Sequence, residues 1–306
     1  MPPYEVADIR GREMLTLAAD GAFVIICRYA SPSVLRWLEG NAERLSGVGL
    51  FLDDDIPAVV TGKDADFFYR LFLWYRALWP LGRLNRHLDI VWASTPHLAS
   101  RLTQAKAAVL PPAPPKALWA SGQGDVDARG RMKDEVLIGY HATGVHLEEH
   151  RFLRPIIAEV LRERPQVRFE VFADRRARAI WRGLDRVEIR EPMPWVGYLA
   201  DANAGRIDIM LVPLAPSHVN DSRAPTKRID VARYRAAGVF SAGTAYGHAS
   251  SGAELRPAYD PTSWREVIFQ LVDDLEGRSN AANATLMAVL QMTLAADTGF
   301  DALRAR

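Results

Sequence analysis

Short apolar runs that alternate with helical patterns limit the folds open to this sequence. In the first part of the chain the apolar runs are Phe23–Cys27, Gly49–Leu52, Asp89–Ala93 and Ala107–Leu110. The stretches between them have helical spacing, and two of these begin with the helix-start signals Ser31-Pro32 and Ser94-Thr95-Pro96. Strands separated by helices form parallel sheets covered by those helices. The sequence therefore predicts an α/β fold in which ligands bind beyond the carboxyl ends of the strands.

The same alternation returns after a change in composition. Residues 112–135 are rich in proline, glycine and charged residues, which is typical of a linker. Further apolar runs follow at Val136–Gly139, Val167–Ala173, Val187–Ile189 and Ile209–Leu214. We therefore predict two domains, residues 1–115 and residues 136–306, joined by a linker at about residues 112–135.

Composition and charge exclude several classes of protein. The 306 residues have a formal net charge of +1, whereas a nucleic-acid-binding protein is expected to have a strongly basic surface. Cys27 is the only cysteine, so an intrachain disulfide is impossible, and its apolar surroundings predict an inert core residue. The sequence has no apolar leader at its start and no uncharged run of the ~18 residues needed to span a bilayer. These features predict a cytoplasmic protein.

The stretch Asp208–Ser241 has the order of a phosphate-binding site. An apolar strand leads into a polar loop that ends at Pro225, a residue favoured in the first turn of a helix. The N-terminus of a helix attracts anions, and Arg223 and Lys227 would add charge there. Asp230, one turn further along, would accept hydrogen bonds from hydroxyl groups. The alternative is a surface helix on which Lys227 and Asp230 pair with each other.

Three consecutive carboxylates, Asp53, Asp54 and Asp55, follow the second apolar run. Like charges at short range raise one another's pKa, which suits a general base or a group that orients a hydroxyl, and we assign this role to Asp54. The spacing of Asp53 and Asp55 also suits a divalent cation, which prefers oxygen ligands. A solvated strand end or a helix cap is the third interpretation.

The segment Asp64–Trp79 is the most apolar helix pattern in the chain. Only Arg70 and Arg76 interrupt it after its start, and they point to faces separated by roughly 120°. This favours a helix that is buried in the protein or between domains. The alternative is an interfacial helix that touches a membrane carrying a lipid-linked acceptor.

Several of these segments resemble bacterial glycosyltransferases with the GT-B fold, the family-4-like group also called glycosyltransferase group 1. The loop and helix before Ser241 are similar to the segment that binds the sugar donor in that family, although Arg233 stands where a glutamate is usual. The segment IGYHATGVHLEEH resembles the start of the donor domain, with Ala142 at a usual glycine position. The resemblance implies these donor-binding residues: Gly139, Tyr140, His141, Thr143, His146, Asn220, Ser222, Thr226 and Asp230. Tyr246, in the next loop, would reach the same ligand.

The first domain resembles the acceptor domain of the same enzymes. In both, an arginine follows the first strand, an acidic run follows the second, and a Ser-Thr-Pro turn follows the third. The resemblance implies the acceptor-side residues Arg28, Asp53, Asp55, Ser94 and Thr95. His146 and His150 have the spacing of a metal pair, but no third ligand is evident, so we expect no metal there.

The resemblance implies two Rossmann-like domains whose parallel sheets face each other across a cleft. The implied reaction moves a sugar, with retention of configuration, from a nucleoside-diphosphate sugar to a glycan, lipid-linked or protein acceptor in polysaccharide or glycoconjugate synthesis. Asp54, Arg223 and Lys227 would be catalytic, and no divalent metal would be needed.

Two alternatives stay open. One is a metal-dependent GT-A transferase that uses Asp53 and Asp55, and the other is an inactive nucleotide-binding, glycan-binding or partner protein.

Overall fold

The structure is a computed structural model that describes residues 4–7, 17–62, 65–102, 107–120, 135–142, 146–203, 207–250 and 252–294. The chain divides into two compact units, and the second begins at Pro112. Each unit contains its own parallel sheet. The prediction of an α/β fold with two parallel sheets is therefore confirmed.

The first unit contains four parallel strands in the spatial order β1-β2-β3-β4. The strands are β1 (Phe23–Cys27), β2 (Gly47–Leu52), β3 (Ile90–Ala93) and β4 (Ala107–Val109). The helices are α1 (Pro32–Asn41), α2 (Ile56–Thr61), α3 (Phe67–Leu73), α4 (Leu81–Leu84) and α5 (Pro96–Arg101), and a π-helical turn (Trp74–Leu78) follows α3. Helix α1 packs Leu35 and Leu38 against Ile26 and Leu50 of the sheet. The polar carboxyl ends of β1, β2 and β3 therefore lie at one edge of this core.

Cys27 is exposed, and the prediction that it lies in the core is wrong. Strand β1 is the first in the spatial order, so within the described residues it has a strand neighbour on one side only. Ile26 points into the core, whereas Ile25 and Cys27 point to the opposite face, where Ile25 is 45% exposed. An apolar run predicts a strand, but the position of that strand in its sheet decides how deeply it is buried.

The second unit contains five parallel strands in the spatial order β7-β6-β5-β8-β9. The strands are β5 (Val136–His141), β6 (Val167–Phe172), β7 (Val187–Arg190), β8 (Ile209–Val212) and β9 (Ala237–Phe240). The helices are α6 (Leu147–Glu163), α7 (Arg175–Trp181), α8 (Trp195–Asn203), α9 (His218–Asp221), α10 (Lys227–Tyr234), α11 (Pro261–Asp273) and α12 (Leu275–Leu294). The chain runs outward from β5 to β7 and then returns to β8 on the other side of β5. The loops after β5 and β8 therefore flank a topological switch point, where open α/β sheets bind their ligands.

Strand β5 extends further than the sequence predicted. It continues to His141, so Tyr140 and His141, which follow the predicted run Val136–Gly139, also belong to the strand. A Cβ atom on Gly139 would lie 3.0 Å from Cδ1 of Ile207, so close packing within the sheet explains this glycine. The predicted strand end at Gly139 is therefore wrong, because the burial of Tyr140 and His141 in the sheet keeps the chain extended for two more residues.

The first residues of the predicted linker pack against the second unit. Trp119 is buried with Ala232 and Val289. Thr293 Oγ1 donates a hydrogen bond to the carbonyl oxygen of Pro114 at 3.0 Å, and Arg233 Nε donates to that of Leu118 at 2.5 Å. Residues 121–134 lie outside the described part of the chain. Across the described residues, none of the helices combines the length and the apolar composition that crossing a membrane requires.

Candidate functional site

A buried carboxylate, that of Glu149, joins the two loops at the switch point. Glu149 lies in the first turn of α6, and its Oε1 accepts hydrogen bonds from Ala215 N and Asn220 Nδ2, both at 3.2 Å. Burial opposes ionisation of this carboxyl group, but His146 and the backbone N–H groups hold its pKa below the ordinary value. Glu149 was not among the predicted residues, although carboxylates are favoured in the first turn of a helix. It fixes the loop after β8 against α6.

Arg223 reaches the same place from the loop after β8. Its Nη1 lies 3.0 Å from His146 Nε2, and His146 Nδ1 lies 3.5 Å from Glu149 Oε2. An imidazole that accepts at Nε2 and donates at Nδ1 satisfies both contacts. Arg223 Nε is buried and has no hydrogen-bond partner among the described residues. Because a buried donor without a partner is costly, this N–H group points to a ligand or an ordered water molecule.

Lys227 and Asp230 pair with each other on α10. Lys227 Nζ lies 3.0 Å from Asp230 Oδ2, and Arg233 Nη1 lies 2.8 Å from Asp230 Oδ1. Both carboxylate oxygens are therefore engaged, as in the alternative interpretation of this helix. The Lys227 side chain is 41% exposed, and a pair of this kind contributes only about 0–1 kcal/mol. A phosphate oxygen that gains about 1.5–3 kcal/mol from Lys227 could therefore displace Asp230.

Trp195 is an exposed aromatic residue beside this pair that sequence reasoning missed. Its side chain is 52% exposed and stacks on Tyr198, with 5.9 Å between the ring centroids. The Arg233 guanidinium carbon lies 4.9 Å from the Trp195 ring centroid, and the same guanidinium group binds Asp230. The position of Trp195 directly after the loop that follows a predicted strand was a signal that could have identified it. An aromatic platform is thus linked to Lys227 through Arg233 and Asp230.

His141 is buried and takes part in the packing of the core. Its ring stacks on Phe172 with 4.1 Å between centroids, and its Nε2 lies 3.0 Å from Glu170 Oε1. Burial lowers the pKa of His141, and the Glu170 carboxylate opposes this shift. His141 therefore supports the carboxyl end of β5 and is not exposed to a ligand in this conformation.

The contacts of His141 continue into a buried polar network. Arg190 Nη1 donates to both oxygens of Glu170 at 3.1 Å, and Arg190 Nη2 donates to Asp201 Oδ1 at 2.8 Å. Tyr234, on α10, donates its hydroxyl proton to Asp201 Oδ2 at 2.8 Å. Burial alone would lower the pKa of Arg190, but the two carboxylates raise it above its ordinary value. The network ties β6, β7 and α8 to α10, the helix that carries Lys227.

The remaining predicted donor residues have different surroundings. Tyr140 and Tyr246 are buried, and burial raises the pKa of both. The Tyr140 hydroxyl group is buried with no hydrogen-bond partner among the described residues. Ser222 is also buried, whereas Thr226 is exposed at the N-cap of α10. Thr143 lies outside the described residues.

His146 and His150 interact with different partners despite their spacing. His150 Nδ1 accepts a hydrogen bond from Trp181 Nε1 at 2.8 Å, away from the contact between His146 and Arg223. Burial lowers the pKa of His150 to about 4. Within the residues that the structure describes, His, Cys, Asp and Glu side chains form no group of three or more that could hold a metal ion.

In the first unit, Arg28 brings Asp53 and Asp54 together at the carboxyl ends of β1 and β2. Arg28 Nε and Nη2 donate to the two oxygens of Asp53, and Nη2 also lies 3.3 Å from Asp54 Oδ2. Burial would lower the pKa of Arg28, but the two carboxylates raise it. Arg28 has a φ angle of 64°, in the left-handed region that few residues other than glycine adopt. Such backbone strain is concentrated at functional sites.

The other acceptor-side residues stabilise the ends of helices. Asp55 caps α2 and pairs with Arg101, whose Nε lies 2.6 Å from Asp55 Oδ2. Thr95 caps α5, and the Ser94 hydroxyl group donates to the backbone oxygen of Asp53 at 3.4 Å. Asp53 and Asp55 are therefore held by different arginines. Asp54 has the fewest contacts of the three carboxylates among the described residues.

No family model and no curated protein sequence matches this chain. Solved structures do match it. A sucrose-phosphate synthase from Thermosynechococcus elongatus aligns with a TM-score of 0.62 and 14% identity over 92% of this chain and 71% of that one. A trehalose-6-phosphate synthase studied with bisubstrate glycomimetics aligns with a TM-score of 0.61 and 13% identity, over 96% of this chain and 76% of that one. The Anabaena protein HepE, in complex with UDP and glucose, aligns with a TM-score of 0.59 and 12% identity, over 88% of this chain and 76% of that one.

These matches define the class of fold. The two parallel sheets are those of the GT-B glycosyltransferase fold. The GT-A alternative does not agree with this architecture, because the chain forms two separate parallel sheets and Asp53 and Asp55 are bound by different arginines. At these low identities the likeness concerns the fold alone.

Proposed function

We propose that the protein is a glycosyltransferase that moves a sugar from a nucleoside-diphosphate sugar to an acceptor hydroxyl group. The observation that carries this proposal is the buried N–H group of Arg223, which has no hydrogen-bond partner among the described residues and lies at the switch point of the second sheet. Lys227, which is partly exposed at the start of α10, supplies a second cation nearby in sequence. HepE, which has the same fold, was solved with UDP and glucose.

In the proposed reaction, Arg223 and Lys227 bind the diphosphate. The bond between the anomeric carbon and the phosphate oxygen breaks, so negative charge develops on the leaving diphosphate. Two cations that are already in position stabilise this charge more in the transition state than in the bound donor. Asp230, once released by Lys227, accepts hydrogen bonds from the ribose or sugar hydroxyl groups. The proposal includes retention of configuration and no requirement for a divalent metal.

On the acceptor side, we assign the orientation of the attacking hydroxyl group to Asp54. Arg28 binds Asp53 through two nitrogen atoms, which leaves Asp54 with one contact to the same guanidinium group, at 3.3 Å. A carboxylate with this freedom can accept the hydrogen bond of an incoming hydroxyl group. The proposal places the protein in the cytoplasm, in polysaccharide or glycoconjugate synthesis. A lone cysteine agrees with a reducing compartment.

A second candidate is a protein that binds a nucleotide or glycan without turnover. The arrangement on α10 favours it, because Lys227 and Arg233 engage both oxygens of Asp230. Arg233 is 2% exposed and cannot turn away without leaving its buried position. Catalysis therefore depends on whether the donor displaces Lys227 from Asp230.

Calorimetric titration with a panel of nucleoside diphosphates and nucleotide sugars tests the proposal. We expect one diphosphate to bind in the presence of EDTA, because two side-chain cations are available for the phosphates. Transfer from the corresponding nucleotide sugar to water or to added acceptors then separates the two candidates. Saturable binding without any turnover would support the binding protein. Binding that requires a divalent ion would contradict the proposed metal-free site.

We predict that Trp195→Ala weakens the binding of a nucleoside diphosphate but not that of pyrophosphate. Stacking of a base on an aromatic side chain contributes about 1–3 kcal/mol, so the dissociation constant of the nucleoside diphosphate should rise roughly five- to hundredfold. Val196→Ala is the control, because this neighbour is 78% exposed. If Trp195→Ala weakens both ligands equally, Trp195 supports the site and does not stack on the base.

A further inference from the structure

Helix α3 and the π-helical turn after it present a broad apolar surface to solvent. This aromatic face consists of Phe67, Phe68, Leu71, Phe72, Trp74, Tyr75 and Trp79. Their exposed fractions range from 44% for Phe72 to 79% for Phe68, whereas Leu73 is 2% exposed and faces the core. The favoured prediction of a buried helix is therefore wrong for this segment.

The geometry of the helix makes the aromatic face continuous. At 100° per residue, Phe67, Phe68, Leu71 and Phe72 span an arc of about 140° on one side of α3. The π-helical turn extends this side, and Tyr75 stacks on Trp79 with 5.7 Å between ring centroids. A contiguous exposed apolar patch of this kind marks an interaction surface.

The charged side chains between the aromatic face and the next strand are all basic. No Asp or Glu occurs between Asp66 and Asp89, whereas this stretch contains Arg70, Arg76, Arg83, Arg86 and His87. Arg83 pairs with Glu39, and Arg70 donates to the carbonyl oxygen of Gly62. Among the described residues, Arg76 and Arg86 have neither a side-chain hydrogen bond nor an ion pair. The segment therefore combines exposed aromatic rings with arginine side chains that form no direct ion pair among the described residues.

We propose that the aromatic face binds the surface of a membrane that contains anionic phospholipids. Tryptophan and tyrosine rings favour the boundary between acyl chains and headgroups, where an apolar body and a polar tip are both accommodated. Arginines beside them are attracted to anionic headgroups. A lipid surface fits both properties over the whole length of the segment.

The aromatic face is joined directly to the acceptor-side residues of the first unit. Phe72 packs against Tyr29 with 5.7 Å between ring centroids, and Ala30 N donates a hydrogen bond to the carbonyl oxygen of Arg76 at 3.1 Å. Tyr29 and Ala30 follow Arg28, which binds Asp53 and Asp54. Lipid binding would therefore bring the Arg28 cluster to the membrane surface. On the basis of the proposed function, the acceptor is then an amphiphile whose hydroxyl-bearing head lies at that surface.

Vesicle co-sedimentation of the full chain tests the proposal. We expect binding to vesicles of equal parts phosphatidylcholine and phosphatidylglycerol, weaker binding to phosphatidylcholine alone, and a decrease with added salt. The double variant Phe67→Ser with Phe68→Ser should weaken partitioning at least tenfold, because both rings lose their apolar contact with lipid. Leu275→Ser is the matched control, since Leu275 is 73% exposed in the second unit.

A second variant tests the electrostatic part. Arg76→Gln with Arg86→Gln should remove most of the preference for the anionic vesicles. Equal binding of wild type to both kinds of vesicle would overturn the assignment to anionic lipid. Absence of binding to either kind of vesicle would overturn the proposal that the aromatic face binds a membrane. Self-association that depends on protein concentration and is abolished by the Phe67 and Phe68 substitutions would also overturn the proposal. It would show that the aromatic face binds a second copy of the chain.

Failure of this inference can be distinguished from failure of the proposed function. Vesicle binding is measured without nucleotide, and nucleotide titration is performed without lipid, so each result stands alone. The nature of the acceptor is tested by transfer to a water-soluble sugar and to a glycolipid in vesicles. Transfer that is equally fast to both would overturn the amphiphilic acceptor while leaving the lipid contact intact.

Discussion

Replacing Arg223 and Lys227 together with alanine should weaken nucleoside diphosphate binding by roughly a hundredfold to ten-thousandfold. Each side chain would contribute about 1.5–3 kcal/mol through a charged hydrogen bond to phosphate, and about 1.4 kcal/mol corresponds to a factor of ten. Arg223 Nε is buried without a described partner, so the diphosphate would supply the missing acceptor. Calorimetric titration of wild type and variant at one ionic strength measures the difference.

A control is needed because any lost arginine reduces the attraction for anions. Arg162→Ala serves this purpose, since Arg162 lies in the last turn of α6 and its side chain is 70% exposed. We expect the control to change the dissociation constant less than twofold, because an exposed charge of this kind is screened by salt. If the double variant binds as tightly as wild type, the diphosphate site is elsewhere.

The second large effect is expected for the buried polar network that Arg190 forms with Glu170 and Asp201 in the second unit. Arg190→Met should lower the free energy of unfolding by about 3–5 kcal/mol, because the carboxylates of Glu170 and Asp201 lose their charged partner. Glu170 is fully buried, so water cannot replace the lost hydrogen bonds. Urea denaturation followed by tryptophan fluorescence measures the change.

Two comparisons separate this effect from the loss of any arginine. Arg164→Met breaks the pair with Asp273 at the surface, where a salt bridge contributes about 0–1 kcal/mol. Adding Glu170→Gln to Arg190→Met should recover part of the lost stability, because it removes one of the two uncompensated charges. A similar cost for Arg190→Met and Arg164→Met would contradict the importance of the network.

The strands could be predicted from the sequence, but their surroundings could not. Apolar runs and helix-start signals are local, so they predicted the alternation of strands and helices in both units. The extent of β5 and the exposure of Cys27 depend on which elements pack nearby. The sequence of one segment does not show which elements these are. Helix α3 shows the same limit. Its pattern predicted an apolar helix, whereas its exposure depends on what covers Phe67 and Phe68.

The candidate site could be predicted only in part, because local spacing does not show which side chains meet in the fold. The spacing of Lys227 and Asp230 was compatible with a ligand site and with mutual pairing, and the sequence could not decide between them. The burial of Arg233 against Trp195 determines the observed pairing, because it fixes one oxygen of Asp230. Glu149 was missed since its partners, Ala215 and Asn220, lie more than sixty residues further along the chain.

The exposed end of β1 gives this protein a unique site for chemical labelling. Cys27 is the only cysteine of the chain, and it directly precedes Arg28. A fluorophore attached to its sulfur would report on the acceptor side without any other thiol to interfere. Partial burial and the charge of Asp53 raise the pKa of Cys27, so its thiolate fraction is small at neutral pH. Labelling should therefore be carried out at mildly alkaline pH, where the reactive anion is more abundant.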